Sequence, residues 1–399
     1  MVPVEEALEI VLRHARPLPA ASCPLSPAVL GRVLAEDVAS DLDMPPFDKA
    51  LMDGYAARCA DLRNGEADLP VQAEVTAGQT APALRPGEAI RIMTGAPIPA
   101  GADAVVQIEH TRGGPDGRVE IRTKQPQPGQ NILARAREMK RGELVLQAGS
   151  ILGPQHLGLL ATVGRTSARV ISVPTAALLA TGDELVDAIE FPGPAGLRNS
   201  NGPMLAAQTV RAGATPLSLG IARDQVDVLR AMIQTGLQAS VLVLSGGVSA
   251  GKRDLVPRVL QELGVEPHFH KVAMKPGKPL FFGTRGDTLV FGLPGNPVAS
   301  FCTFELFVRP AIRRLAGCAE PGPKWMTASL LEDLTYATDR PTYHPAVLTN
   351  ADGVNRVRAV PWFGSPDLRA LSQANALLLI LAESQTQPAE WMMPVLPLN

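Results

Sequence analysis

Cysteine is scarce in this chain: Cys23, Cys59, Cys302 and Cys318 are the four in 399 residues, and no two stand in a C-x-x-C spacing. That argues against a ribbon-type metal site and a disulfide framework, leaves buried or incidental thiols, and fits a reducing compartment. Net charge is lacking too. With 37 basic and 39 acidic residues the formal charge is −2, so no global field gathers nucleic acid or an anionic membrane, and any anion site must be local. The longest wholly apolar run, residues 376–382, falls far short of the ~20 residues that a membrane span needs. The N-terminus, M-V-P-V-E-E-A-L-E-I, is acidic and sets Val4, Ala7, Leu8 and Val11 on one helical face behind Pro3, which reads as a helix and not a signal peptide. No periodic repeat is visible. The expectation is a cytoplasmic protein with neither nucleic acid nor membrane as partner.

Apolar residues make up 46% of the chain, enough for the two to four cores expected when one core rarely grows past ~250–300 residues. Residues 41–134 are rich in Pro and Gly, with β-like pieces at 71–75, 104–108 and 119–121, and read as an inserted, mostly β domain. Its flanks, 1–40 and 135–173, read as one N-terminal linking domain interrupted by that insertion. From 174 to 318 strands and helices alternate. Strands are expected at 176–180, 216–221, 241–244 and 289–291. Helices are expected at 203–212, along the face Val226, Leu229, Ile233 and Leu237, and along Val256, Val259, Leu260 and Leu263. A further apolar helix from Val298 must be kinked or ended by Pro310. This alternation predicts a doubly wound, mostly parallel α/β domain. Residues 319–399, with pieces at 327–330, 345–348, 354–360 and 377–381, read as a small C-terminal β domain.

The run V-L-V-L-S-G-G-V-S-A-G-K (241–252) turns a buried strand into a loop whose glycines let backbone N–H groups approach a phosphate. Three strand ends carry polar loops: Thr181 to Glu184; the segment with Ser245, Gly246, Gly247, Ser249 and Gly251; and Gly292 to Pro297, which contains Pro294, Gly295 and Asn296. In a parallel sheet all three emerge at one edge and can line one crevice. Asn296-Pro297 also opens a helix, and helix N-termini favour anions. Gly246, Gly251 and Lys252 satisfy G-x-x-x-x-G-K, yet Arg253 stands where a P-loop NTPase needs Ser or Thr for Mg²⁺. Asp224 and Asp254 each precede an amphipathic helix, so an N-cap and a role in a site are both open. Glu184 beside Asp183 needs water, a cation or a metal to offset repulsion, and Mg²⁺ suits scattered acids around a phosphate-bearing substrate. Lys275 and Lys278, spaced by Pro-Gly, suit a polyanion or are merely solvated. His268 and His270 share a strand face but have no third ligand near. Asp53-Gly54, in L-M-D-G-Y-A, reads as a tight turn, and Thr94 lies in a Gly-Pro-rich loop; turn chemistry accounts for both.

Taken in order, M-D-G-Y-A (52–56), R-I-M-T-G-A-P-I-P-A-G-A-D-A-V-V (91–106), T-G-D-E-L (181–185), S-G-G-V-S-A-G-K-R-D (245–254), K-P-G-K-P (275–279) and G-L-P-G-N-P-V (292–298) resemble the molybdopterin molybdenumtransferase family, which includes the E domain of gephyrin. The resemblance implies a four-domain elongated homodimer, an α/β domain similar to molybdopterin adenylyltransferases, and a C-terminal small β-barrel. It implies insertion of molybdate into adenylylated molybdopterin, with Mg²⁺ and release of AMP. By the same resemblance Asp53, Thr94, Glu184, Asp224 and Asp254 are catalytic, with Glu184 and Asp254 on the metal. Ser245, Gly246, Gly247, Ser249, Gly251, Lys275, Lys278 and Pro294, Gly295, Asn296, Pro297 would hold the cofactor's phosphates and the oxyanion. Asp53 and Thr94 would face the α/β domain across the dimer interface. Implied partners are a molybdopterin adenylyltransferase and enzymes that accept the cofactor. The chain departs from the family at Arg137-Glu138-Met139 in place of G-E-D, at Asn199 in place of Asp, at Lys49, and at Pro345 where a second arginine is common, while Arg340 and Gly364-Ser365 remain. These departures keep a second reading open, a catalytically weakened cofactor-binding or carrier paralogue, beside the more distant P-loop NTPase.

Overall fold

Apolar residues at helical spacing near the N-terminus and at strand spacing further on sort the chain into two compact units. A computed structural model describes residues 1–114, 116–247, 255–383 and 386–398. One unit comprises Met1–Cys23, Val29–Ala35 and Arg169–Asn399, the other Pro24–Ala28 and Glu36–Ala168. In the first, helix α1 (Val4–His14) has Glu5 and Glu6 in its first turn and Arg13 and His14 in its last, which complements the helix dipole. It buries Val4, Ala7 and Val11 in the larger of the unit's cores.

The second unit is built on a six-stranded sheet of β1 (Gly54–Ala57), β2 (Glu66–Val75), β3 (Ala89–Ile92), β4 (Ala104–Gln107), β5 (Thr111–Gly113) and β6 (Arg118–Arg122), in the order β4-β1-β3-β2-β6-β5. β1 is buried along its whole length, between β3 and β4. The tight turn expected at Asp53-Gly54 is therefore corrected. Gly54 begins β1 without a positive φ, and a Cβ on it would clash with the Val106 carbonyl oxygen. Close approach of β4 demands this glycine, not turn geometry.

In the first unit, β7 (Thr175–Thr181), α2 (Asn201–Arg211), β8 (Thr215–Ala222), α3 (Val226–Gly236), β9 (Val241–Ser245), α4 (Leu255–Glu262), β10 (Glu266–His270), β11 (Phe281–Arg285) and β12 (Thr288–Leu293) form a sheet in the order β8-β7-β9-β12-β11-β10, with helices beside it. β8, β7, β9 and β12 are parallel, and an antiparallel hairpin, β10 and β11, completes the edge. Strand residues alternate between two cores. Ala176, Leu178, Val241, Val243 and Phe291 pack with α1 and α2, while Ala177, Leu179, Leu242, Leu244 and Val290 pack with α3 and α4. This is the doubly wound, mostly parallel arrangement expected.

The apolar helix expected from Val298 is α5 (Pro297–Thr303), and Pro310 neither ends it nor interrupts a plain α-helix. A π-helical turn, Phe304–Val308, leads into α6 (Arg309–Leu315), where Pro310 occupies the first turn and its missing N–H costs nothing. The π turn buries Glu305, whose Oε1 accepts from Gln208 Nε2 (2.7 Å) and from the Arg211 guanidinium and whose Oε2 accepts from Arg309 Nη1 (2.9 Å). Beyond it, β13 (Met326–Leu330), β14 (Thr342–Ala351), β15 (Val354–Ala359), β16 (Ala376–Ile380) and β17 (Met392–Pro397) close a barrel in the order β13-β15-β14-β16-β17. Two prolines hid β17 from a reading by pattern. Among the described residues no helix is long and apolar enough to cross a membrane. Cys302 and Cys318 are buried and Cys23 and Cys59 half-buried, all free.

Gly54→Ala is expected to cost about 3 kcal/mol, the upper end for overpacking against backbone. A lower urea midpoint with an unchanged m-value would show it; an unchanged midpoint would mean that β4 yields.

Candidate active site

The strand ends form the site. β7, β9 and β12 run parallel, so the loops after Thr181, Ser245 and Leu293 leave the sheet at one edge, where they line a cleft of about 590 Å³ with the start of α2. Gly246 and Gly247 have φ of +92° and +61°, and a Cβ on Gly246 would come within 2.6 Å of the Thr181 carbonyl oxygen. Both the left-handed backbone and the lack of space require glycine there. Asn201, the first residue of α2, donates through Nδ2 to Ser245 Oγ and to the Gly295 carbonyl, both at 2.8 Å. It thereby ties the end of β9 to the loop after β12. Its own Oδ1 and the Thr181 Oγ1 are buried and have no hydrogen-bond partner among the described residues. Two unpaired polar atoms in residues lining one cleft are costly unless a ligand pairs them.

Pro294, Gly295, Asn296 and Pro297 line the same cleft. Asn296 precedes α5 and donates through Nδ2 to Ser365 Oγ (2.8 Å), while Val298 N donates to the Ser365 carbonyl. Through Pro279, Pro294 and Asn296 this cleft adjoins a second one of about 350 Å³. There Lys275, Lys278 and Arg340 meet Asp339, Trp362 and Ser365. Arg340 Nε donates to Asp339 Oδ1 (3.0 Å) and the guanidinium holds that carboxyl below its usual range; Lys275 Nζ lies 5.4 Å from the Tyr336 ring centre. Three cations against one carboxylate leave the second cleft suited to a small anion.

The acids separate. Glu184 lines the larger cleft, its carboxylate folded back over Gly182 and without a hydrogen-bond partner among the described residues. Asp183 resolves the expected repulsion by turning away, since its Oδ1 accepts from the Asp224 backbone N–H at 3.0 Å. The cap of α3 is Gln225, not Asp224, and makes no side-chain capping bond. Ser249, Gly251, Lys252 and Asp254 lie outside the described residues. His268 stacks on His14 (ring centres 3.9 Å) and its Nε2 bonds Thr284 Oγ1 at 2.8 Å, and burial pushes its pKa down. No group of three side chains that could hold a metal occurs among the described residues.

In the other unit, Asp53 and Thr94 come together. Asp53 Oδ1 accepts from both the backbone N–H and the hydroxyl of Thr94, each at 2.7 Å. These bonds hold the exposed carboxyl below its ordinary pKa. Lys49, one departure from the family pattern, pairs with the residue beside a second, Met139: its Nζ stands 3.2 Å from Glu138 Oε1. A third, Asn199, lines the larger cleft and accepts from the Gly202 N–H at 2.9 Å, a capping bond that asparagine makes as well as aspartate. Sequence reasoning passed over Thr181 and Asn201 as single residues. Their signal was position alone, one closing a strand and the other opening the helix that follows.

Doubly wound sheet and paired clefts define a multidomain α/β protein whose strand-end clefts have the lining that suits an anionic small molecule. Three family profiles cover most of the chain: the MoeA N-terminal region (domains I and II) at residues 2–164, a probable molybdopterin binding domain at 177–314, and the MoeA C-terminal region (domain IV) at 327–387. The molybdopterin molybdenumtransferase of Staphylococcus aureus (strain Mu50 / ATCC 700699) is 35% identical over 388 residues, 95% of this chain and 91% of that protein. That of Bacillus subtilis (strain 168) is 36% identical over 359 residues, 88% and 84% respectively. The molybdopterin biosynthesis MoeA protein from Pyrococcus horikoshii OT3 superposes with a TM-score of 0.82 at 28% identity over 100% of both chains. A molybdenum cofactor biosynthesis protein from Pyrococcus furiosus shares the fold, at a TM-score of 0.61 and 20% identity over 100% of this chain and 99% of that one. The chain belongs to the molybdopterin molybdenumtransferase family.

Because the Asp53 pKa is depressed, its ionised state and the bonds from Thr94 are kept as pH falls below the ordinary carboxylate pKa and are lost only through the lower, folded one. Thr94→Val removes the hydroxyl donor and keeps the amide. Carbon-13 NMR titration of the carboxyl is expected to show the Asp53 pKa rising part of the way towards its ordinary value, and no rise would mean that the hydroxyl bond carries no weight.

Proposed function

We propose that this chain inserts molybdate into adenylylated molybdopterin and releases AMP, as the family resemblance implies. The observation that carries the reading is the pair of adjoining clefts at the strand ends. The larger offers left-handed glycines, the N-terminus of α5 and unpaired atoms on Thr181 and Asn201 to a phosphate-bearing, hydrogen-bonding heterocycle. The smaller offers Lys275, Lys278 and Arg340 to the oxyanion. Their shared wall, Pro279, Pro294 and Asn296, would set molybdate beside the dithiolene sulfurs of a bound pterin, so that proximity supplies much of the catalysis.

Mg²⁺ fits the donor set in one respect. A resident cage would need more ligands than the described residues bring together, but Mg²⁺ commonly uses one or two carboxylates with substrate phosphates and water. Glu184 would be one such carboxylate and Asp254 the other; the metal would neutralise charge on the departing phosphate. Asp53 and Thr94 would complete the site from the partner subunit of a homodimer. The carrier reading rests on the departures at Met139, Asn199 and Pro345; Lys49 is held in an exposed ion pair with Glu138.

With adenylylated molybdopterin and Mg²⁺, AMP release is expected to depend on molybdate and to fall at least a hundredfold in Lys275→Ala with Lys278→Ala. Tight substrate binding with no molybdate-dependent release would favour the carrier. Mixing Asp53→Ala and Asp254→Ala dimers is expected to restore part of the activity through heterodimers that hold one intact composite site, and no recovery after proven subunit exchange would sink the shared site.

A further inference from the structure

Another group of cations lies along α6, apart from both strand-end clefts. Arg309, Arg313 and Lys324 line a cavity of about 230 Å³ together with Glu305 and a wall of prolines and Leu396. Arg309 and Arg313 stand one turn apart on one face of α6, and Lys324 comes from the connection that precedes β13. Glu305 does not neutralise this set. Its side chain is 1% exposed and both oxygens are engaged, one by Gln208 and Arg211, the other by Arg309. Arg211 also donates to the Leu398 carbonyl. Of the three cations that line the cavity, only Arg309 is paired with this already engaged carboxylate. Among the described residues Arg313 and Lys324 have no carboxylate within 4.0 Å and no side-chain hydrogen bond.

The cavity walls offer these cations little. Pro310, Pro321, Pro323 and Pro397 bring no side-chain acceptor to them, so the cations border space that no side-chain anion of the wall other than Glu305 occupies. The π turn explains how the group is set up. Such turns are rare and tend to occur at functional positions; this one delivers Glu305 to Arg309, which fixes that guanidinium's fork beside the cavity in advance of any ligand. The volume lies below the ~300 Å³ at which pockets begin to enclose drug-sized ligands, which excludes a nucleotide and leaves room for a small group.

We propose that this cavity binds a small multivalent oxyanion of the phosphate type, held by Arg309, Arg313 and Lys324. It does not depend on the transferase reading, for it shares no lining residue with either strand-end cleft.

The test is calorimetric titration of inorganic phosphate at low ionic strength into the full chain carrying Lys275→Ala and Lys278→Ala, which removes cations from the strand-end cleft. One saturable site is expected. Adding Arg313→Ala with Lys324→Ala is expected to weaken it at least tenfold, and Arg313→Gln, which removes the charge but keeps a polar side chain with N–H donors, to weaken it severalfold without altering the thermal midpoint. Absence of saturable binding in the first variant overturns the proposal, as does an affinity unchanged by the added substitutions.

Discussion

The side-chain amide of Asn201 is the interaction on which the strand-end site depends. A parallel sheet delivers three loops to one edge but does nothing to fix their spacing, because each loop leaves its strand independently. One amide nitrogen reaching both Ser245 Oγ and the Gly295 carbonyl links the loops after β9 and β12, and does so from the first residue of the helix that follows β7. A buried amide that spends both N–H groups on protein and leaves its oxygen unpaired holds the walls while it presents an acceptor. Loss of this bond would free the loops individually, and the cleft would lose the geometry that makes its glycine amides useful.

Much of the fold was legible because it rests on periodicity. Alternating apolar residues in 176–180 and 241–244 had to face two cores, and they do. Two of the strands that pattern missed are ones where another constraint outweighs side-chain type. β17 carries prolines that a closed barrel tolerates, and β1 begins with a glycine that the sequence presents as a turn. Gly54 and Gly246 look alike in the sequence. One is needed because a neighbouring strand presses against it at ordinary φ, the other because its φ is left-handed and a carbonyl lies behind it. Only the fold separates the two causes.

The site was legible in its loops but less so in its pairings. Motif order placed Lys275, Lys278, Glu184 and the Pro294 to Pro297 segment, and these do line adjoining clefts. Asp53 and Thr94 are 41 positions apart, and nothing local in the sequence says that one carboxylate oxygen takes both Thr94 donors. The same holds for Lys49, a departure from the family pattern, and Glu138, 89 positions away, which form one ion pair. Pairings of this kind are set by strand register, which a one-residue slip would reverse, so a reading of single residues cannot recover them.

Charge shows the distinction between the whole and the local most clearly. A net charge of −2 argues against long-range attraction of polyanions, since fields at physiological salt fade within about 8 Å. It says nothing about the interior of a cleft. Lys275, Lys278 and Arg340 around one cavity, with Arg309, Arg313 and Lys324 around another, concentrate positive charge where prolines form part of the wall. An anion would therefore gain little from this protein's net charge and would depend on these local groups. Selectivity there would rest on the shape and hydrogen bonding of the cleft, where Asn201, Thr181 and Ser365 stand.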